Sequence, residues 1–176
     1  MAASDGCAVV DVEGFGSVEL TEGGRLARAP AGTAGGRTNA PATKRTFPGT
    51  INYTLVLFGP AVEPTSFLVS DAVPDPGAGN FTFRAVNVAT GVPLVDVYVT
   101  APGADLNASA PVATDVAIGA DSAFVTLPVG SYQIRVTPSG TKEVIYDSTP
   151  QSYSERAHVE AVVYTRTSSK LVGVTV

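Results

Sequence analysis

After residue 50, short strand-like apolar runs recur between turn residues, some with apolar and polar positions alternating. The clearest stretch sets Tyr132, Ile134 and Val136 against Gln133, Arg135 and Thr137. Period two puts the first set on one face of a strand and the polar set on the other. The same reading predicts strands at 51–58, 65–70, 80–88, 94–100, 112–118, 122–127, 132–137, 143–148, 157–164 and 171–176. Turn residues separate them: Gly91-Val92-Pro93, Pro102-Gly103, Gly119-Ala120-Asp121, Pro128-Val129-Gly130 and Pro138-Ser139-Gly140. The stretch Ser152-Tyr153-Ser154-Glu155-Arg156 reads as a loop. No window of a dozen residues has helical periodicity. Many short strands at this spacing predict an all-β sandwich or barrel.

Three segments follow from the punctuation. Residues 1–48 read as a low-complexity leader without a fold. Their centre, Ala27–Ala42, is Gly, Ala, Pro and Thr with no period and too little apolar area to offset its ordering entropy. Val9–Val12 and Ser17–Leu20 are β-like runs inside that leader, too isolated to assign. Residues 49–73 read as an orphan β-hairpin. The breaker cluster Pro74-Asp75-Pro76-Gly77-Ala78-Gly79 marks a boundary, and 79–176 reads as the complete domain. There is a weak internal repeat: Asn52–Gly59 (NYTLVLFG) resembles His158–Thr165 (HVEAVVYT), each followed by a second apolar strand. A lone hairpin is marginal in water, so pairing through a β-edge at 51–70 is expected.

Composition supports the β reading. The chain has 176 residues, 44% hydrophobic and 15% charged, with 18 Gly and 13 Pro. Its apolar share is mostly Val and Ala, and Val suits a pleated surface better than a helix. The net charge of −5 argues against nucleic-acid binding, which needs clustered Lys and Arg. In residues 1–48 five acids balance five bases, so the acidic excess lies beyond them. One Cys, Cys7, excludes an internal disulfide and a Cys-rich metal site. No apolar run reaches the length of a membrane span, and no basic-then-apolar export signal is present as the chain is written.

Candidate chemistry is sparse. His158 is the only histidine; it opens a strand, is expected to face solvent, and lacks a nucleophile-elbow motif elsewhere in the chain. Asp96 sits inside the apolar run Val95-Asp96-Val97-Tyr98. It reads as a cation or sugar ligand, or as a carboxylate facing outward or bonded to a loop, and the second reading is favoured. Asp71 with Asp75, and Asp115 with Asp121, could supply oxygens for calcium, but the regular calcium-loop pattern is absent. Gly14-Phe15-Gly16 is too short for a nucleotide loop. Asn52, Asn80 and Asn107 open glycosylation sequons, which matter only in a eukaryotic secretory host. Tyr132, just after the Pro128–Gly130 turn, is expected to bond its hydroxyl back to that loop, as corner tyrosines of sandwiches do. No cofactor is expected.

Three motifs in order, Phe83-Arg84-Ala85-Val86-Asn87-Val88-Ala89, Val95-Asp96-Val97-Tyr98-Val99 and Leu127-Pro128-Val129-Gly130-Ser131-Tyr132, resemble the signature of the bacterial domain of unknown function 4397. Val129 departs from the small residue usual there. The resemblance covers 79–176. It implies an immunoglobulin-like antiparallel β-sandwich, with Asp96, Tyr98, Pro128, Gly130 and Tyr132 as motif positions. It implies a periplasmic or cell-surface setting, and it makes residues 50–72 look like the tail of a preceding copy. The family has no established activity. The expectation is a non-catalytic envelope module with a structural or binding role. The alternatives are a carbohydrate-binding accessory module, with Tyr146, Tyr153 and Tyr164 as its aromatics, and a hydrolase built on His158.

Overall fold

The computed structural model describes residues 53–59 and 65–165 in full, and the backbone of five further strands at 8–12, 17–21, 25–28, 45–46 and 171–175. All regular elements among the described residues are strands. The chain divides into two compact units, residues 1–72 and 73–176.

The first unit holds β1 (Ala8–Val12), β2 (Ser17–Thr21), β3 (Arg25–Arg28), β4 (Arg45–Thr46), β5 (Tyr53–Phe58) and β6 (Thr65–Ser70). β5 and β6 form the expected hairpin, with Phe58 opposite Thr65 and Tyr53 opposite Ser70. The hairpin is not an orphan pair. β1 runs antiparallel along the other side of β5, with Val10 opposite Leu55, so both edges of β5 are taken and the edge pairing expected of 51–70 narrows to β6. β2 pairs with β3 and β4 in a second small sheet. These four early strands correct the reading of 1–48 as a leader without fold. Valines 9, 10 and 12 supply the β-branched residues that favour pairing once a sheet is offered. Cys7, the Gly14–Gly16 run, Asn52 and most of Ala27–Ala42 lie outside the described residues.

The second unit is a β-sandwich. Its strands are β7 (Asn80–Val88), β8 (Leu94–Thr100), β9 (Ala113–Ala117), β10 (Ala120–Asp121), β11 (Val125–Pro128), β12 (Gly130–Pro138), β13 (Tyr146–Asp147), β14 (Gln151–Tyr153), β15 (His158–Thr165) and β16 (Leu171–Thr175). One sheet runs β10-β7-β15-β16, with β11 also on β7. The other runs β13-β12-β8-β9, with β14 also on β12. Nearly all pairs are antiparallel. β7 and β15 are the exception: they run parallel, with Arg84 opposite Glu160. Of the predicted strand at 122–127 only 125–127 is strand, in β11, while the predicted turn at 119–121 holds β10; the loop at 152–156 contributes β14.

The two sheets bury one core between them. Phe81, Phe83 and Ala85 of β7 and Val159, Ala161 and Val163 of β15 meet Val95, Val97 and Val99 of β8 and Ile134 and Val136 of β12. Period two places these on the inner faces. The breaker cluster belongs to this unit: Pro74 accepts a hydrogen bond from Thr82 Oγ1 (3.4 Å), and Asp75 pairs with Arg156 at 2.8 Å. The unit therefore starts at Val73, not at residue 79.

β7 is buried along both faces, except at its first residue. On the face away from the core, Arg84 is 1% exposed. It pairs with buried Glu160, directly opposite on β15, and with Asp121 at 3.4 Å, while Phe124 lies under its guanidinium at 4.5 Å. Removing one member of such a pair strands the other charge in low dielectric. Glu160→Ala is expected to cost about 3–5 kcal/mol in chemical denaturation, and Arg84→Met with Glu160→Leu together to recover most of that loss.

The exposed Asp75 carboxyl is held below its ordinary pKa, first by the Gly77 amide that it accepts and then by Arg156. A lowered folded-state pKa means the pair's contribution is complete above about pH 4 and fades as the pH falls through the folded-state value. Denaturation of the native protein and of Asp75→Asn should therefore differ at pH 5 and converge toward pH 2.

Candidate functional site

The polar residues of the sandwich gather on the outer face of the β8–β12 pair. Period two sends Gln133, Arg135 and Thr137 to that face, as the pattern predicts, but the face is not wet. Arg135 is 8% exposed and Thr137 is fully buried. The segment 101–112 covers it. The Gly103 amide donates to Gln133 Oε1 (2.9 Å), and Leu106 is buried. Lys142 fastens the segment, its Nζ donating to the carbonyls of Leu106 and Ser109 at 2.9 Å each. The same ammonium lies 4.6 Å from the centre of the Tyr98 ring, which is 2% exposed.

Asp96 lies at one end of this face. β9 has one residue more than β8 there, so Thr114 and Asp115 stand against Asp96 alone, and the ladder is interrupted. Asp115 adopts a left-handed φ of 53°, which Asp tolerates better than most residues. The Asp96 carboxylate takes up what the bulge leaves unpaired. Oδ1 accepts the Asp115 amide (2.9 Å), and Oδ2 accepts the Gly140 amide (3.0 Å) from the turn after β12. Asp115 in turn accepts the Ser139 hydroxyl. Asp96 thus joins one bulge and one turn, the loop-bonded reading of this residue.

The corner before β12 is built from Pro128, Gly130 and Tyr132. Tyr132 Oη donates to the Pro128 carbonyl at 2.9 Å. The ring folds back over Gly130, where an added Cβ would stand 3.2 Å from Tyr132 Cε2, so a side chain there would press on the ring. Tyr132 and Tyr153 both pack on Phe81, with centroids 5.6 and 4.9 Å away.

Other expected residues are dispersed. His158 opens β15 but is half-buried, its ring 5.6 Å from Phe124, which corrects the solvent-facing expectation. Tyr146 and Tyr153 pack against the core, and Tyr164 stands on the opposite sheet, so the three do not make one aromatic platform. The four aspartates of the calcium reading are engaged separately: Asp71 with Thr54, Asp75 with Arg156, Asp115 with Ser139 and Asp121 with Arg84. Among the described residues no three His, Cys, Asp or Glu side chains are grouped to hold a metal ion. Asn80 turns its amide to the Pro76 and Ala78 carbonyls.

Sequence reasoning missed Asn87, Arg84, Arg135 and Lys142. Asn87 is a core-facing side chain on β7 that reaches across the sandwich. It donates to the carbonyls of Val116 on β9 (2.9 Å) and Val92 (3.2 Å), and it accepts the Ala89 amide (3.0 Å). A polar residue inside an apolar run was its signal. Lys142 left none, because its partners are carbonyls more than thirty residues away.

The Tyr132 corner is a local hydrogen bond on a packed ring. Tyr132→Phe should lower stability by about 1 kcal/mol. Gly130→Ala, which pushes the ring away, should cost about the same. The double variant should cost less than the two losses added, because both break one contact. Thermal or urea unfolding of the three variants checks this.

No protein-family model and no curated protein matches this chain.

Proposed function

We propose that this chain is a non-catalytic β-sandwich module of the bacterial cell envelope, acting as a structural or binding unit. The observation that carries this reading is how the polar side chains of the sandwich are used. Asp96, Asn87 and Lys142 each bind backbone amides or carbonyls of loops, and Tyr132 binds the carbonyl of its own corner. Groups engaged in this way fix a scaffold, which favours a structural role for them. His158 packs edge-tilted against Phe124 at the start of its strand, which favours a packing role over that of a general base. The motif residues Asp96, Tyr98, Pro128, Gly130 and Tyr132 hold the bulge, the covered face and the corner, in keeping with the resemblance to the domain of unknown function 4397. The envelope setting comes from that resemblance. The aromatic-platform version of a carbohydrate-binding module finds no support in the placement of Tyr146, Tyr153 and Tyr164.

Immunoblotting of fractionated cells that express the protein from its native locus tests the setting. The expected result is signal in the periplasmic or envelope fraction. Signal confined to the cytosol overturns it.

A further inference from the structure

We propose that the outer face of the β8–β12 pair binds a carboxylate group at Arg135. This deepens the binding half of the module reading, and rests on it.

The sandwich contains two deeply buried arginines, and they are treated differently. Arg84 has Glu160 opposite it, Asp121 beside it and a phenylalanine ring under it. Its charge is matched within the fold. Arg135 is nine-tenths buried, yet among the described residues no carboxylate lies within ion-pair distance of it. Its one side-chain partner is neutral: Nη2 donates to Thr100 Oγ1 at 2.7 Å. Its Nε is buried and has no acceptor. A guanidinium so largely buried and left without an anion is unfavourable, and the group that best matches the planar fork of its donors is a carboxylate.

The surroundings strengthen the positive character. Tyr98 stands directly opposite Arg135 on β8, and the Lys142 ammonium lies over that tyrosine. Lys142 also has only neutral oxygens as hydrogen-bond partners. One cation therefore lies over the Tyr98 ring and a second stands opposite Tyr98 in register, in a protein with a net charge of −5. The nearest acid in register is Asp147, opposite Arg135 on β13; its Oδ1 accepts the Gln133 amide at 2.6 Å and it makes no ion pair with Arg135. Arg135 keeps 8% of its surface exposed, and the net negative charge disfavours a polyanion. The chemistry is thus a lone carboxylate, of a uronic acid sugar or of a peptide C-terminus.

Nuclear magnetic resonance of the full chain tests this directly, because the Arg135 Nε–H signal reports its own acceptor. Glucuronate and N-acetylalanine are titrated as the two sources, with methyl glucuronate and inorganic phosphate as controls. The expected result is a saturable shift of the Arg135 signal with one or both carboxylates, none with the ester, and at least tenfold weaker binding of phosphate. Lys142→Gln should weaken the carboxylate binding severalfold, and Arg135→Lys should abolish it. An unmoved signal with both carboxylates, an equal response to the ester, or equal affinity for phosphate overturns the proposal. If Arg135→Lys fails to fold, the titrations of the native chain still decide. The measurement uses purified protein, so its failure is distinct from a failure of the envelope setting.

Discussion

A strand buried on both faces has no water to turn to, and β7 imposes that constraint on the sandwich. Its residues from Phe81 to Val88 are all buried. Three of them, Thr82, Arg84 and Asn87, are polar, and each unpaired polar group there would cost on the order of 1–3 kcal/mol. The fold answers each one differently. Thr82 holds the Pro74 carbonyl and so draws the breaker cluster onto the sandwich. Arg84 requires an acid at one position of the neighbouring strand, and the parallel register of β15 supplies Glu160 there. Asn87 reaches through the core to the Val116 carbonyl and ties one sheet to the other. The linker, the parallel pairing and the joining of the two sheets thus all follow from making β7 soluble in the protein interior.

The second sheet meets a milder form of the same demand. Its outer face could have stayed wet, as antiparallel sheets allow. Instead the 101–112 segment folds over it, and the covered polar groups must then be satisfied by that segment or by adjacent turns. Gln133, Lys142 and Asp96 do this by bonding to Gly103, to Leu106 and Ser109, and to Asp115 and Gly140. The bulge at Asp115 is stable because Asp96 accepts the amide that the ladder leaves unpaired.

The period-two pattern made the strands of the sandwich legible, since alternation of Val and Phe with polar residues reports one buried face. It located β7 and β8 to the residue and the Tyr132 corner to its hydroxyl, because both depend on neighbours within a few positions. It failed where partners are distant. β1 is a short run whose pairing depends on β5, more than forty residues away, so it read as part of a leader. The parallel β7–β15 pair was invisible for the same reason, and so was the burial of the polar face of β12: nothing in Gln133-Ile134-Arg135 announces that a loop thirty residues upstream lies on it.

Arg84 and Arg135 make this limit concrete. Both stand at positions that alternation assigns outside the core. What separates them is register. Glu160 stands opposite Arg84, whereas Tyr98 and an already bonded Asp147 stand opposite Arg135. A one-residue slip of β15 would exchange the buried acid for an apolar neighbour and leave Arg84 with the half-exposed Asp121 as its carboxylate. Strand register therefore places a buried acid beside one arginine and none beside the other. That is why the functional character of this sandwich lies in its strand register more than in any motif.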